Sequence, residues 1–123
     1  MTAVLAVLAA ATVLVVVPVK VAVTAPGHAP PVGVRWNYSV AATVNGRPVK
    51  ALITEEIVDP IGGTHPVQFG IGTKIIKNWA FKGVFRDFMI WPKSSRGVPL
   101  TWRITVVIGK TRRVVNYKVT PQG

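Results

Sequence analysis

From Thr2 to Val19 the chain carries no charge, and Thr2 and Thr12 are its only polar side chains. Wound as a helix, the 18 residues of this run make a rod of about 27 Å, close to the roughly 30 Å hydrocarbon core of a bilayer. Pro18 and Lys20 end the run. Such a stretch leaves the rest of the chain three options: a domain tethered to a membrane, a domain exported across one, or a soluble fold with a buried apolar element. An uncleaved anchor is the preferred reading. A cleaved secretory signal fits less well, because no Lys or Arg precedes the run and the small-x-small cleavage pattern is weak. Val23-Thr24-Ala25 has suitable sizes, but Pro26 follows it. Residues 1–23 are therefore read as a hydrophobic helix serving as anchor or signal.

Orientation pulls the other way. Basic residues flanking a span favour the cytoplasmic side, and here Lys20 and Arg35 lie behind it. Export is still preferred, because an all-β module behind one N-terminal span is usually outside. The expected location is a membrane-anchored domain outside the cytoplasm, or a secreted one.

A length of 123 residues suits one domain. About ninety residues remain beyond the run and its linker, enough for a small sandwich with a modest core. Cysteine is absent, so neither a disulfide nor thiol chemistry is available. The 15 Lys and Arg face 4 Asp and Glu, a formal charge of +11. That balance favours anionic surroundings: lipid headgroups, acidic wall polymers or nucleic acid. The plain alternative is surface charge that serves solubility.

Residues 24–33, TAPGHAPPVG, read as a proline-rich spacer holding a domain off a surface, with His28 solvated. Behind it, residues 34–123 read as strands. Val34, Trp36, Tyr38, Val40, Ala42 and Val44 alternate with Arg35, Asn37, Ser39, Ala41 and Thr43, the period of a half-buried strand. Asn45-Gly46 is a strong hairpin signal. A two-residue turn there pairs Val44 with Arg47, Ala42 with Val49, Val40 with Ala51, Tyr38 with Ile53 and Arg35 with Glu56. In this register Glu55 points inward opposite Trp36, a misfit that a bulge or frayed sheet end would relieve.

Asp59 to Thr64 is a turn. Short strands are expected at residues 65–69 and 71–79, and an aromatic one from Phe81 to Trp91. Leu100, Trp102, Ile104, Val106 and Ile108 mark an inward face. A turn at Gly109-Lys110 then leads to Val115, Tyr117 and Val119, with a two- or four-residue loop both allowed. The sum is about seven strands with frequent turns, the pattern of an antiparallel sandwich.

With Trp36 to Val44, the turn from Val58 to Pro66, Phe85-Arg86-Asp87-Phe88 with Trp91-Pro92, and the last hairpin in view, the chain resembles immunoglobulin-like or fibronectin-type β-sandwich domains. More narrowly, it resembles uncharacterised exported single-domain proteins of actinobacteria. The resemblance covers residues 34–120 and implies a fold and a compartment. It departs from antibody-type domains in lacking their cysteine pair, and it implies no activity.

Acid–base groups are few: Glu55, Glu56, Asp59, Asp87, His28 and His65. Neighbouring strand residues face opposite ways, so Glu55 and Glu56 make no carboxylate pair. Asp59 and His65 flank one turn and are placed to meet, but a triad needs Ser94 or Ser95 beside them, without a supporting motif. No spacing suits a metal, and Gly70-Ile71-Gly72 lacks the pattern of a dinucleotide loop. Asn37-Tyr38-Ser39 matches a glycosylation sequon inside a strand. Asp87 is expected as a charge paired at a sheet edge. No catalytic, cofactor or metal residue is assigned, and an enzyme is the least favoured class.

The candidate anion-binding residues are Arg103, Lys110, Arg112, Arg113 and Lys118, all in the final hairpin. A second run, Lys74, Lys77, Trp79, Lys82 and Arg86, interleaves bases with rings in the manner of single-strand nucleic-acid binders. Strand aromatics are more often core, so nucleic acid ranks second as a partner. The expected function is a non-catalytic, exported or membrane-tethered structural or interaction module. Its partners would be the membrane through the N-terminal segment, and anionic wall polymer, lipid headgroups or another protein through the domain.

Overall fold

A computed structural model describes residues 18–123. The apolar run up to position 17, with the helix expected there, lies outside the described residues. From Val19 onward the chain is already strand, so the last residues assigned to the leader belong to the domain. The strands are β1 (Val19–Thr24), β2 (Arg35–Val44), β3 (Arg47–Pro48), β4 (Lys50–Val58), β5 (Thr64–Pro66), β6 (Trp79–Lys82), β7 (Val84–Ile90), β8 (Leu100–Ile108) and β9 (Thr111–Val119).

These strands form two antiparallel sheets around a shared core, a β-sandwich arrangement. In the first sheet β2 is central, with β1 along one side and β7 followed by β3 along the other. In the second, β4 lies between β8–β9 and the shorter β6 and β5. The alternation in β2 is realised: Trp36, Tyr38, Val40 and Ala42 are buried, while Val34, just before the strand, is exposed. β1 has the same period, its Val19, Val21 and Val23 lying opposite Val44, Ala42 and Val40.

Trp36 sits at the middle of the core. Its ring meets Trp91, Trp102 and Tyr117 edge-on, with centroids 5.6, 5.5 and 6.1 Å away. Since Trp102 and Tyr117 belong to β8 and β9, these edge-to-face contacts join the two sheets.

The register expected from Asn45-Gly46 holds only for its first step. Both residues adopt positive φ, 53° and 74°, as a type I′ turn requires, and Val44 does pair with Arg47. The ladder then stops at Thr43–Pro48. The chain crosses to the second sheet at Val49, whose carbonyl accepts from Gly83 N–H and not from Ala42 N–H. The expected pairs of Val40 and Tyr38 with residues 51 and 53 are replaced by β2–β7 pairing, and of the Ala42–Val49 pair one bond remains, from Val49 N–H to the Ala42 carbonyl at 3.4 Å. Arg35 faces Ile90 and lays its guanidinium 3.8 Å over the Phe88 ring, while Glu56 faces Arg103.

A second crossing lies beside the first. The single strand expected from Phe81 to Trp91 is cut at Gly83, φ +75°. Its N–H donates to the Val49 carbonyl at 3.0 Å and its carbonyl accepts from Ala42 N–H at 2.8 Å. One glycine thereby bonds to both sheets where they part.

Two further expectations change. Residues 71–79 form no continuous strand: a turn closed by a Gln68–Ile75 bridge exposes Ile71 and buries Ile76. Residues 24–33 are no free spacer. Pro30 is fully buried, Pro31 bridges to Gln122, and Gly33 N–H donates to the Trp91 carbonyl at 2.8 Å. His28 is exposed yet not merely solvated, since its ring stacks on Tyr117 at 4.4 Å and Nδ1 lies 2.6 Å from the Lys118 carbonyl. Proline cannot complete a regular ladder, but its carbonyl still accepts: Gln122 N–H donates to the Pro30 carbonyl at 2.9 Å. At the other end β8 and β9 pair Ile108 with Thr111, the two-residue option.

A Cβ on Gly83 would lie 2.8 Å from Pro48 Cβ, whereas one on Gly46 meets nothing within 4 Å. Both positions have positive φ. Gly46→Ala should therefore cost only the conformational penalty, about 1 kcal/mol. Gly83→Ala adds overpacking and should cost about 2–4 kcal/mol. Urea midpoints of the two variants read the difference.

Candidate functional site

Strand direction brings the basic residues together. β1 begins where β2 ends, and Asn45 N–H donates to the Pro18 carbonyl at 3.1 Å. The Asn45-Gly46 turn, the crossings at Val49 and Gly83, and the Gly109-Lys110 turn share that end of the sandwich. The pole where the apolar run enters the sheet therefore displays Lys20, Arg47, Lys50 and Lys82 with Lys110, Arg112 and Arg113, all exposed.

No carboxylate stands among them. Glu55, Glu56, Asp59 and Asp87 lie further along their strands, and each is engaged there. Glu56 accepts from Arg103 at 3.1 Å, the only Lys or Arg pairing with a carboxylate among the described residues. Seven of the 15 Lys and Arg thus sit at this end with no acid among them, while the four acids share the rest of the domain with the other eight.

The five candidates from the final hairpin divide. Lys110, Arg112 and Arg113 belong to the basic pole. Arg103 is tied to Glu56, and Lys118 donates to Thr101 Oγ1 at 2.7 Å near the opposite end. Register separates two neighbours as well: Arg112 stands opposite Val107 on the outer face, while Arg113 stands opposite the buried Val106 at the open sheet edge. Lys20, Arg47 and Lys50 escape the sequence reading because they come from separate strands, and no local run in the sequence announces them. Of the second basic-aromatic run, Lys82 reaches this pole; Trp79 is half-buried against the core, its ring stacked 5.3 Å from Phe69.

The second feature is a buried acid. Glu55 is 1% exposed and points inward with no bulge, so the misfit is resolved by hydrogen bonds. Tyr38 Oη lies 2.7 Å from Oε2, and Trp102 Nε1 donates to Oε1 at 2.7 Å. Tyr38 Oη also lies 3.4 Å from Asp87 Oδ2, which accepts Gly70 N–H at 3.2 Å. Asp87 is thus half-buried behind Tyr38 rather than paired with a cation at an edge. Burial pushes the Glu55 carboxyl up to about 7, against the lowering effect of its bonds from Tyr38 and Trp102. Burial, then the Glu55 charge, raises the Tyr38 hydroxyl well above its ordinary range. Protonated Glu55 can donate to Tyr38, leaving the tyrosine proton to point at Asp87.

Asp59 and His65 do meet, with Nε2 and Oδ2 2.8 Å apart. Asp59 Oδ1 also accepts N–H from Gly63 at 2.8 Å and from Ile61 at 3.0 Å. The His65 bond, then the Gly63 bond, hold its carboxyl below the usual range. This is the work of a turn brace. The third triad member does not join: Ser95 Oγ donates to the Pro92 carbonyl at 2.6 Å, and neither Ser94 nor Ser95 hydrogen-bonds to His65. No cluster of three metal-ligating side chains occurs among the described residues.

No protein-family model, curated protein or solved structure matches this chain.

The raised Glu55 pKa gives stability a pH dependence of defined sign. The folded protein holds this proton up to about pH 7, whereas an unfolded glutamate releases it near 4.3. Native protein thus binds more protons in between, and stability falls as pH rises from about 4.5 through 7. At about 1.4 kcal/mol per pKa unit the loss is on the order of 3 kcal/mol. Glu55→Gln keeps an acceptor for Trp102 and a donor for Tyr38, so its unfolding free energy should be flat across that window. Denaturant titrations at pH 5 and pH 8 compare the two proteins.

Proposed function

We propose that this chain is a non-catalytic β-sandwich of immunoglobulin-like, fibronectin-type topology, tethered to a membrane or exported, that engages an anionic surface through its basic pole. One observation carries the reading: exposed lysines and arginines without carboxylate partners gather at the end where the apolar run joins the domain. If that run lies in a bilayer, this pole is the part of the domain held nearest the headgroups. A basic residue close to an anionic membrane contributes about 1 kcal/mol, an attraction that fades within a Debye length. Proximity is therefore what turns these charges into binding.

The topology supports the fold part of the proposal. The first sheet holds strands one, two and seven, and the second holds the central and last strands. That division corresponds to the A-B-E and C′-C-F-G sheets of fibronectin-type domains, with β3 and β6 as extensions at the corners. The buried Glu55 serves the core in this reading. Its partners are a tyrosine and an indole, with Asp87 on the far side of the tyrosine hydroxyl, and no nucleophile accompanies them.

A fragment of residues 18–123 retains every described strand and tests the surface reading. It should sediment with vesicles containing phosphatidylglycerol and remain free with phosphatidylcholine alone. Replacing Arg112 and Arg113 together by alanine should weaken binding roughly 30-fold, from about 2 kcal/mol. Arg103→Ala, which removes a cation already facing Glu56, should change it far less. Equal binding by all three proteins in low salt rejects the assignment, and tighter binding to single-stranded DNA than to the vesicles favours the nucleic-acid alternative. Compartment is read separately, from the intact mass of the chain in cell fractions and from protease treatment of whole cells.

A further inference from the structure

The outer face of the second sheet is laid out in rows by its register. Nearest the basic pole, Lys50 stands opposite Lys82. In the next row Ala80, Leu52, Val107 and Arg112 succeed one another across β6, β4, β8 and β9. Beyond them come Thr54, Thr105 and Val114, and then Glu56 with Arg103. The first two rows enclose a shallow groove of about 610 Å³, lined by Lys50, Leu52, Ala80, Lys82 and Val107 and reaching Gly109.

Two features of this groove are unfavourable in isolation. Like charges directly opposite on neighbouring strands destabilise a sheet, yet Lys50 and Lys82 form such a pair. The nearest carboxylate on this face, Glu56, is three rows away along β4, about 20 Å at roughly 3.4 Å per residue. That is beyond a Debye length of about 8 Å, and Glu56 is occupied by Arg103. Beside the lysines, Leu52 is exposed on the outer face of a central strand, where a polar residue would cost nothing.

We propose that this groove binds one anionic membrane lipid, with its headgroup phosphate between Lys50 and Lys82 and the start of an acyl chain over Leu52, Ala80 and Val107. A single negative charge between the lysines replaces their repulsion with two attractions. The apolar row covers the methylenes nearest the headgroup, and Arg112 follows Val107 in the same row on β9, outside the groove lining. The inference rests on the reading that this pole faces an anionic bilayer and narrows it from a diffuse attraction to a site of defined stoichiometry.

The experiment uses the full chain, isotope-labelled, in neutral maltoside micelles. Dihexanoyl-phosphatidylglycerol is added while the amide resonances of Leu52, Ala80, Lys82 and Val107 are monitored. Saturable shifts at these amides are expected, with dihexanoyl-phosphatidylcholine at least tenfold weaker. Lys50→Gln with Lys82→Gln should weaken the response roughly 30-fold, from about 1 kcal/mol per cation. Both lysines are exposed, and unchanged resonances elsewhere verify the fold of the variant. Leu52→Ser should bring the lipid's affinity down to that of glycerophosphoglycerol, which has the headgroup and no chain.

Equal response to the zwitterionic lipid overturns the proposal, as does indifference to the lysine substitutions. Inorganic phosphate reproducing the shifts at the same half-saturation makes this a free-anion site and also overturns it. The two readings fail separately. Vesicle binding that depends on Arg112 and Arg113 without shifts at Leu52 removes the groove alone, while saturable shifts without vesicle binding remove the diffuse attraction alone.

Discussion

A carboxyl group shut inside the core sets the terms for this fold. Glu55 comes from the second sheet, and Tyr38, its partner at 2.7 Å, comes from the first. The interaction is therefore both a solution for a buried polar group and a tie between layers. Left alone, the acid would cost several kcal/mol by desolvation; between Tyr38 and Trp102 both of its oxygens are satisfied. Among the surrounding rings the indole N–H groups of Trp36 and Trp91 are buried without a partner among the described residues, so Trp102 is the indole that the acid satisfies. The segment after β5 is held to the same residue from outside, since Glu55 N–H donates to the Ile76 carbonyl at 3.0 Å.

Legibility in the sequence tracks physical range. The alternation of β2, β8 and β9 is a local signal, and their inward faces emerge as expected. The parity that puts Glu55 inward was legible too, but it read as a misfit because its partners are 17 and 47 residues away. The Asn45-Gly46 turn specifies one pair correctly. Its ladder then fails at Pro48, because the crossing depends on Gly83, far along the chain. β1 was hidden for a different reason: Val-Lys-Val-Ala-Val-Thr continues an apolar run and blurs into it. The proline-rich stretch looked like a spacer because its bonds go to residues at the other end of the chain.

The candidate surface shows the same limit. Three members, Lys110, Arg112 and Arg113, are neighbours in sequence and could be proposed together. The others are drawn in by β1, by the two crossings and by β6, so their cluster exists only once the strands are placed. Arg103 and Lys118 show the converse, being close in sequence to the cluster while directed to other partners. Charge count alone favours anionic surroundings without saying which surface would meet them. The cluster's position, at the end continuous with the apolar run, is what gives that preference a direction.

The strand paths also determine how the domain would carry mechanical load. The chain comes in beside the Asn45-Gly46 turn, whereas Gln122 is bonded to Pro30 near the opposite end. Tension between these points runs nearly parallel to the strands. The β1–β2 ladder from Val19–Val44 to Thr24–Ser39 then resists in shear, with its bonds strained together instead of opening one after another. A domain built in this way holds against a pull along its strands and yields more readily to a force that peels β1 sideways from its edge.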